Sequence, residues 1–169
     1  MPGVSAVLDG VVTVPRQSGD DLHVLRSVLR ARDAQRNGTG PDQVLAVVLS
    51  KFDVLQRLRH LSSPKWQSIF NRPGSAMQRD PSMVAGFDNE GDGSLLHEEL
   101  LGLLELLDAR MVISAATQAG LPFRLFAISA LGAEPDAQSV GSGGIIPFRV
   151  LDVLLAALAK KRRDLHGHV

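Results

Sequence analysis

The chain has 169 residues, 44% of them hydrophobic, which suits one globular domain with a buried core. Its 18 basic and 18 acidic residues cancel, so we expect neither nucleic acid nor a membrane as a partner. The absence of cysteine excludes disulfides and thiolate metal sites. Because the sequence has no apolar run long enough for a bilayer and no secretion-signal pattern at its start, we expect a cytoplasmic protein.

Strand and helix patterns alternate along the first half of the chain. Residues 5–14 are apolar and β-branched and predict a strand, and leucines at helical spacing predict a helix over Asp20–Asn37. Val44–Leu49 is apolar throughout, as in a strand covered on both faces of a parallel sheet. A helix is expected at Val54–Leu61, and prolines indicate a long loop over residues 63–93. Three side chains are expected to pin that loop to the core: Trp66, Ile69 and Phe70.

The second half continues the alternation. The pattern predicts one long helix over Ser94–Gly120, a strand over Phe123–Ile128 and a last helix over Phe148–Arg163. The order predicts an α/β fold, a three-layer structure with a parallel sheet and flanking helices, whose ligands sit beyond the carboxyl ends of the strands. We assign residues 1–165 to one domain and residues 166–169 to a tail.

Two short motifs follow the two clearest strands. Lys51 and Asp53 come after the first, and Ser129 and Ala130 come after the second. An aspartate here can accept two hydrogen bonds from a guanine edge, which adenine does not offer. The lysine stem can cover the purine face, while the backbone N–H near Ala130 can donate to the guanine O6 and Ser129 can brace the loop. These four residues are the predicted guanine-binding site.

The motifs are similar to the fourth and fifth motifs of P-loop GTPases. The wider stretch from Val44 to Leu158 resembles a bacterial double-GTPase-type domain. The resemblance implies a partial P-loop GTPase-like sheet and a guanine nucleotide, GTP or GDP, as the ligand. Ser50 departs from the family pattern, in which asparagine or threonine is usual.

The phosphate-binding half of such a domain is missing from this sequence. None of Lys51, Lys65, Lys160 and Lys161 follows a glycine, as the lysine of a phosphate loop does. We therefore expect weak nucleotide binding, no catalytic residues and no activity of the chain alone, with Mg²⁺ bound only if a partner completes the phosphate site. The loss also exposes a sheet edge along residues 4–14, which favours truncation, a protein partner or self-association.

Two alternatives stay open. Asp88, Glu90, Asp92 and Glu99 fit the spacing of an EF-hand-like calcium loop, although the same segment also fits a polar loop in which Asp92 or Ser94 caps a helix. The leucines between residues 95 and 107 are dense enough for a protein interface as well as a core. The second alternative to a guanine-binding domain is therefore an interaction scaffold with a GTPase-derived fold.

Overall fold

The computed structural model describes residues 20–34, 44–81, 91–118, 120, 122–132 and 145–166. The helices in these ranges are α1 (Asp20–Ala34), α2 (Phe52–Gln56), α3 (Pro64–Phe70), α4 (Asp92–Leu106), α5 (Arg110–Gln118) and α6 (Asp152–His166). The strands are β1 (Leu45–Leu49) and β2 (Phe123–Ala127), and short 3₁₀ turns span Arg57–His60 and Ala76–Gln78.

The two strands form a parallel pair in which Leu45 lies opposite Phe123 and Leu49 opposite Ala127. A parallel pair needs a crossover connection, and α2 to α5 lie between the two strands in the chain. The described residues therefore confirm a mixed helix-and-strand fold with a small parallel sheet. They do not extend to a three-layer P-loop sheet, and the strand and edge predicted for residues 4–14 lie outside them.

The prediction that β1 is covered on both faces is wrong. Val47 and Leu49 pack against the core, whereas Val44 and Val48 are exposed to 49% and 39%. Successive side chains of a strand point to opposite faces of the sheet, so this alternation shows that one face of β1 meets solvent. An all-apolar run has the composition of a doubly covered strand, but packing decides whether a second layer is present.

The core is built mainly on α4, which lies along β2. Its buried leucines recur every three or four residues at positions 96, 100, 103 and 104, so one face of the helix is turned inward. Trp66 and Phe70 are also buried and join the same cluster, which confirms that they anchor their segment. That segment is not the predicted loop, because Pro64 opens α3 at a favourable first position and the two aromatics share one helix face.

The long helix predicted over residues 94–120 is two helices. Asp108 takes a left-handed backbone with φ 56°, and the next N–H, of Ala109, donates to the Leu104 carbonyl at 2.8 Å. The Asp108 N–H donates to the Glu105 carbonyl at 3.1 Å, which completes the hydrogen-bond pair that ends many helices. Glycine usually occupies the left-handed position, so an aspartate there hides the break from sequence analysis.

Candidate functional site

The most constrained side chain of the described structure is Arg149, which is fully buried. Its Nη1 donates to Asp152 at 2.5 Å and its Nη2 donates to Asp92. Its Nε faces two backbone carbonyls, that of Arg79 at 2.9 Å and that of Ala76 at 3.2 Å. One guanidinium thus joins the starts of α4 and α6 to the turn after α3, using the fork of donors that lysine lacks.

The backbone of Arg149 is as constrained as its side chain. Its φ is 52°, a left-handed conformation that costs a non-glycine residue about 1–2 kcal/mol. Its N–H donates to the Asp80 carboxylate at 2.6 Å. Such a conformation persists only where its surroundings enforce it, so we identify Arg149 and its three aspartates as the Arg149 cluster, the element that fixes the start of α6.

Burial affects the ionisation of Asp152 in the Arg149 cluster. Desolvation raises the pKa of the Asp152 carboxyl, and it outweighs the opposing effect of the neighbouring Arg149. The Oδ1 atom of Asp152 is buried and has no hydrogen-bond partner among the residues described. Asp152 and Asp92 also lie in the first turns of their helices, where the dipole favours a carboxylate.

The structure brings part of the predicted guanine site together. Asp53 lies in the first turn of α2, and its Oδ1 accepts a hydrogen bond from the Ser129 hydroxyl. The Ser129 oxygen in turn accepts from the Gly132 N–H at 2.9 Å, and Ser129 is 2% exposed. Lys51 and Ala130 are exposed at the same end of the strand pair. Ser129 braces its loop as predicted from sequence, and base contact by these four residues stays a prediction.

The structure separates the residues of the calcium alternative. Asp88 and Glu90 lie outside the described residues. Asp92 and Glu99 belong to the continuous helix α4, where seven residues correspond to about 10 Å along the axis. Asp92 bonds to two arginines, and Glu99 Oε2 accepts from Ser75 and from the Met77 N–H. These two carboxylates therefore do not meet at one ion, and the described ranges contain no group of three or more metal-ligand side chains.

Asp92 is nevertheless a helix-terminal residue, as the alternative of a polar loop leading into a helix expects. Asp92 is the first residue of α4, and its side chain reaches back to Arg79 and Arg149 rather than to the helix backbone. The sequence did not single out Arg149. The signal available for it was an arginine three residues before an aspartate, a spacing at which the two side chains meet near a helix start.

His97 occupies the edge of β2 that faces away from β1. The Leu125 N–H donates to His97 Nδ1 at 3.1 Å, and the imidazole packs edge-on against Phe123. Burial lowers the pKa of His97 from its ordinary value, with Glu98 opposing and Arg124 reinforcing the shift. The neutral ring is the form that can accept the strand N–H at Nδ1, so geometry and electrostatics agree.

Beside the Arg149 cluster lies an exposed apolar surface. Its side chains are 43–64% exposed, although all are aliphatic. We call it the α6 surface, and its members are Ile145, Ile146, Val150, Leu151, Leu154 and Leu158. Leu154 and Leu158 are four residues apart on α6, and Leu151, just before the helix, is three residues from Leu154, so this spacing places the three leucines on one face. Where exposed apolar side chains form a patch, they mark interaction sites in soluble proteins.

Residues just before α6 connect the α6 surface to the rest of the fold. The Phe148 ring stacks on the buried Phe52, and its backbone forms two hydrogen bonds with Ser129, at 2.8 and 3.0 Å. The Ile146 N–H donates to the Leu131 carbonyl at 3.1 Å. No described apolar residue after Phe148 belongs to the core cluster, so α6 is positioned by its first turn and by Arg149. None of the helices in the described ranges has the length and hydropathy to cross a bilayer.

Comparison with known proteins gives one informative similarity. A curated relative is SaeC of Mycolicibacterium smegmatis, named as a candidate ESX-1 scaffolding and assembly protein. The two are 41% identical over 139 residues, which cover 79% of this chain and 34% of the relative. The chain therefore spans about a third of the length of the curated relative that it matches. No family model and no solved structure matches the chain.

This relative overturns the GTPase interpretation. The resemblance to a double-GTPase-type domain was wrong, and so was the expected function of binding GTP or GDP, because the matched protein is named for scaffolding and assembly and no GTPase family model matches. The physical reason for the error is that short motifs after strands are not specific. Asp53 and Ser129 bond to each other, a pairing that stabilises a turn in many folds.

Proposed function

We propose that this chain is a protein-binding module of an assembly scaffold. The observation that carries the proposal is the α6 surface, a set of exposed aliphatic side chains on α6 and on the residues before it, at a helix whose start is fixed by the buried Arg149. Burying such a set against a partner removes apolar area from water, which is the main favourable term in protein association. The name of the relative, which concerns scaffolding and assembly, supports the same conclusion.

The way the α6 surface is held suits a scaffold. A rigid binding surface loses less conformational entropy on association than one that must be ordered first. The Arg149 cluster ties α6 to two other elements through several hydrogen bonds, so the surface exists before a partner arrives. Because the chain matches a third of the relative, we assign it the role of one contact module within a larger scaffold.

A segment exchange tests the proposal. The matched segment of SaeC is replaced in M. smegmatis by the corresponding residues of this chain, and the ESX-1 components recovered with the tagged chimera are quantified by mass spectrometry. We expect the chimera to recover them and a Leu154→Glu/Leu158→Glu variant to recover about tenfold less, since burying two carboxylates in an apolar interface is costly.

The matched control is Met111→Glu, on α5, which is 63% exposed but lies outside the α6 surface. It introduces the same charge on an exposed apolar residue and should leave recovery unchanged. Equal recovery by the chimera and its double α6 variant, with both proteins folded by circular dichroism, would contradict the proposal.

A further inference from the structure

Charged residues are unevenly distributed along α6. From Val153 to Ala159 it has no charged residue, and then Lys160–Arg163 follows as an unbroken basic run. The backbone remains helical through this run, to His166. The helix dipole stabilises cations near the C-terminus of a helix. The change from uncharged to basic residues also gives α6 an apolar stretch followed by a basic run on one continuous helix.

We propose that the α6 surface binds an amphipathic helix of a partner protein, one whose apolar stripe is followed at one end by a cluster of acidic residues. This rests on the proposed function and names the kind of partner. The apolar stripe would pack along Leu151, Leu154 and Leu158, in the spacing by which helices are recognised through anchors one turn apart. The acidic cluster would lie against Lys160–Arg163, where complementary charge fixes the direction of the partner helix.

A second copy of the chain fits this surface less well. Two α6 helices packed in parallel would bring their basic runs together, which like-charge repulsion disfavours. Packed antiparallel, each basic run would face the start of the other helix. The carboxylates described at that end, on Asp80, Asp92 and Asp152, already bond to Arg149. Among the residues described at that end, self-association therefore offers the basic run no carboxylate outside the Arg149 cluster.

An anionic membrane also fits less well. Helices that lie in a membrane interface carry cations along their polar face and aromatic residues on the apolar face. Here the cations follow the apolar stretch instead of flanking it, and every member of the α6 surface is aliphatic. Segregation of charge to one end indicates a partner with a matching end, which a folded acidic helix has and a lipid surface lacks.

Two synthetic peptides of about 20 residues test this proposal with the full chain, a length at which isolated helices become stable. Both carry leucines at helical spacing, and one ends in glutamates where the other ends in lysines. Fluorescence anisotropy at about 50 mM salt should show the acidic peptide binding at least about tenfold more tightly. The preference should disappear at about 500 mM salt and in a Lys160→Glu/Lys161→Glu variant.

The apolar contact is tested in the same assay. The Leu154→Glu/Leu158→Glu variant should lose binding of the acidic peptide, while Met111→Glu should bind it as the wild type does. Equal affinity for the two peptides, or binding that survives in the double leucine variant, would overturn the proposal. Micromolar binding to phosphatidylglycerol vesicles with no peptide preference would overturn it in favour of a membrane, and leucine-dependent dimerisation in light scattering would overturn it in favour of a second copy.

The outcomes separate this inference from the proposed function. If the segment exchange shows that recovery of ESX-1 components depends on Leu154 and Leu158 but the acidic peptide has no advantage, the scaffold role stands and the acidic helix is wrong. If the leucine variant keeps full recovery while the peptide preference is present, the helix-binding surface stands and its role in that assembly is wrong.

Discussion

Replacement of Arg149 by methionine removes the buried charge while keeping most of the side-chain volume. The guanidinium is the partner of two carboxylates that are 1% and 9% exposed, those of Asp152 and Asp92. Without it, the Asp152 carboxylate stays buried with no described cation beside it, and Asp92 keeps only its pair with the half-exposed Arg79. Arginine and methionine both carry a Cβ, so the left-handed backbone at residue 149 costs about the same with either, and the measured effect reports mainly on the guanidinium.

The magnitude follows from the burial of this ion cluster. Removing one partner of a buried pair costs about 3–5 kcal/mol, because the remaining charge is left uncompensated. The free energy of unfolding of a domain is about 5–15 kcal/mol, so the variant should lose a large part of it. For a chain of this size each kcal/mol corresponds to about 2–4 °C in melting temperature, which gives a decrease of about 6–20 °C.

Urea denaturation and thermal melting at neutral pH measure this loss. Arg79→Met is the matched control, because Arg79 pairs with the same Asp92 at 2.7 Å but has a side chain that is 46% exposed. Exposed pairs contribute about 0–1 kcal/mol, so the control should change stability by no more than that. A loss of less than about 1 kcal/mol for Arg149→Met, or equal losses for both variants, would refute the central position of Arg149.

Three further predictions concern other parts of the fold. Burial lowers the pKa of His97, so its neutral form contributes stability that is complete above the ordinary pKa of 6.5 and is lost as pH falls through the lowered pKa. The His97→Gln variant should therefore show a smaller decline in the free energy of unfolding below pH 6.5. Parallel pH profiles of variant and wild type would contradict this. In denaturation experiments, Gly132→Ala should destabilise the protein far more than Gly120→Ala. Both glycines have positive φ, but only at Gly132 would the new Cβ overlap a backbone carbonyl oxygen, that of Ile146, at 1.7 Å. Equal effects of the two substitutions would refute this steric overlap. Ser129→Ala should cost about 1–3 kcal/mol in urea denaturation, since the Gly132 N–H and the Asp53 carboxylate each lose a partner, and a neutral result would contradict that bracing role.

The strands were predictable from local composition, and their parallel direction from the helices that lie between them in the chain. β1 contains two valines and β2 two phenylalanines, and every residue of the two strands except Arg124 is apolar; each strand lies within a residue of its expected bounds, at Leu45–Leu49 and Phe123–Ala127. The break at Asp108 was not predictable, because the usual glycine signal is missing and the turn is stabilised by hydrogen bonds formed only in the folded chain. The late start of α6, at Asp152, has the same cause, since Phe148 pairs with Ser129 instead of entering the helix.

The candidate site was less predictable than the fold. Composition indicates that an arginine is exposed, because charged residues are rarely buried unless paired. Apart from Asp152, three residues away, the partners of Arg149 come from distant parts of the chain, around residues 76–80 and 92, and no local pattern records that they all meet. The guanine motifs failed for the opposite reason, since a pair such as Asp53 and Ser129 is locally conspicuous but stabilises a turn without any ligand.

The Arg149 cluster and the α6 surface are adjacent in sequence, and that adjacency has a physical consequence. Within residues 152–160 of α6 only Asp152 is buried, and the apolar residues that follow are partly buried or exposed, so the position of the helix depends mainly on its first turn. The buried ion pairs at its first turn supply a directional constraint, because the planar guanidinium can donate only to carboxylates that lie in a narrow range of positions. Apolar contacts are not directional and constrain the rotation of a helix less than these hydrogen bonds do. The charged anchor instead keeps Leu151, Leu154 and Leu158 on the outside, where a partner can reach them.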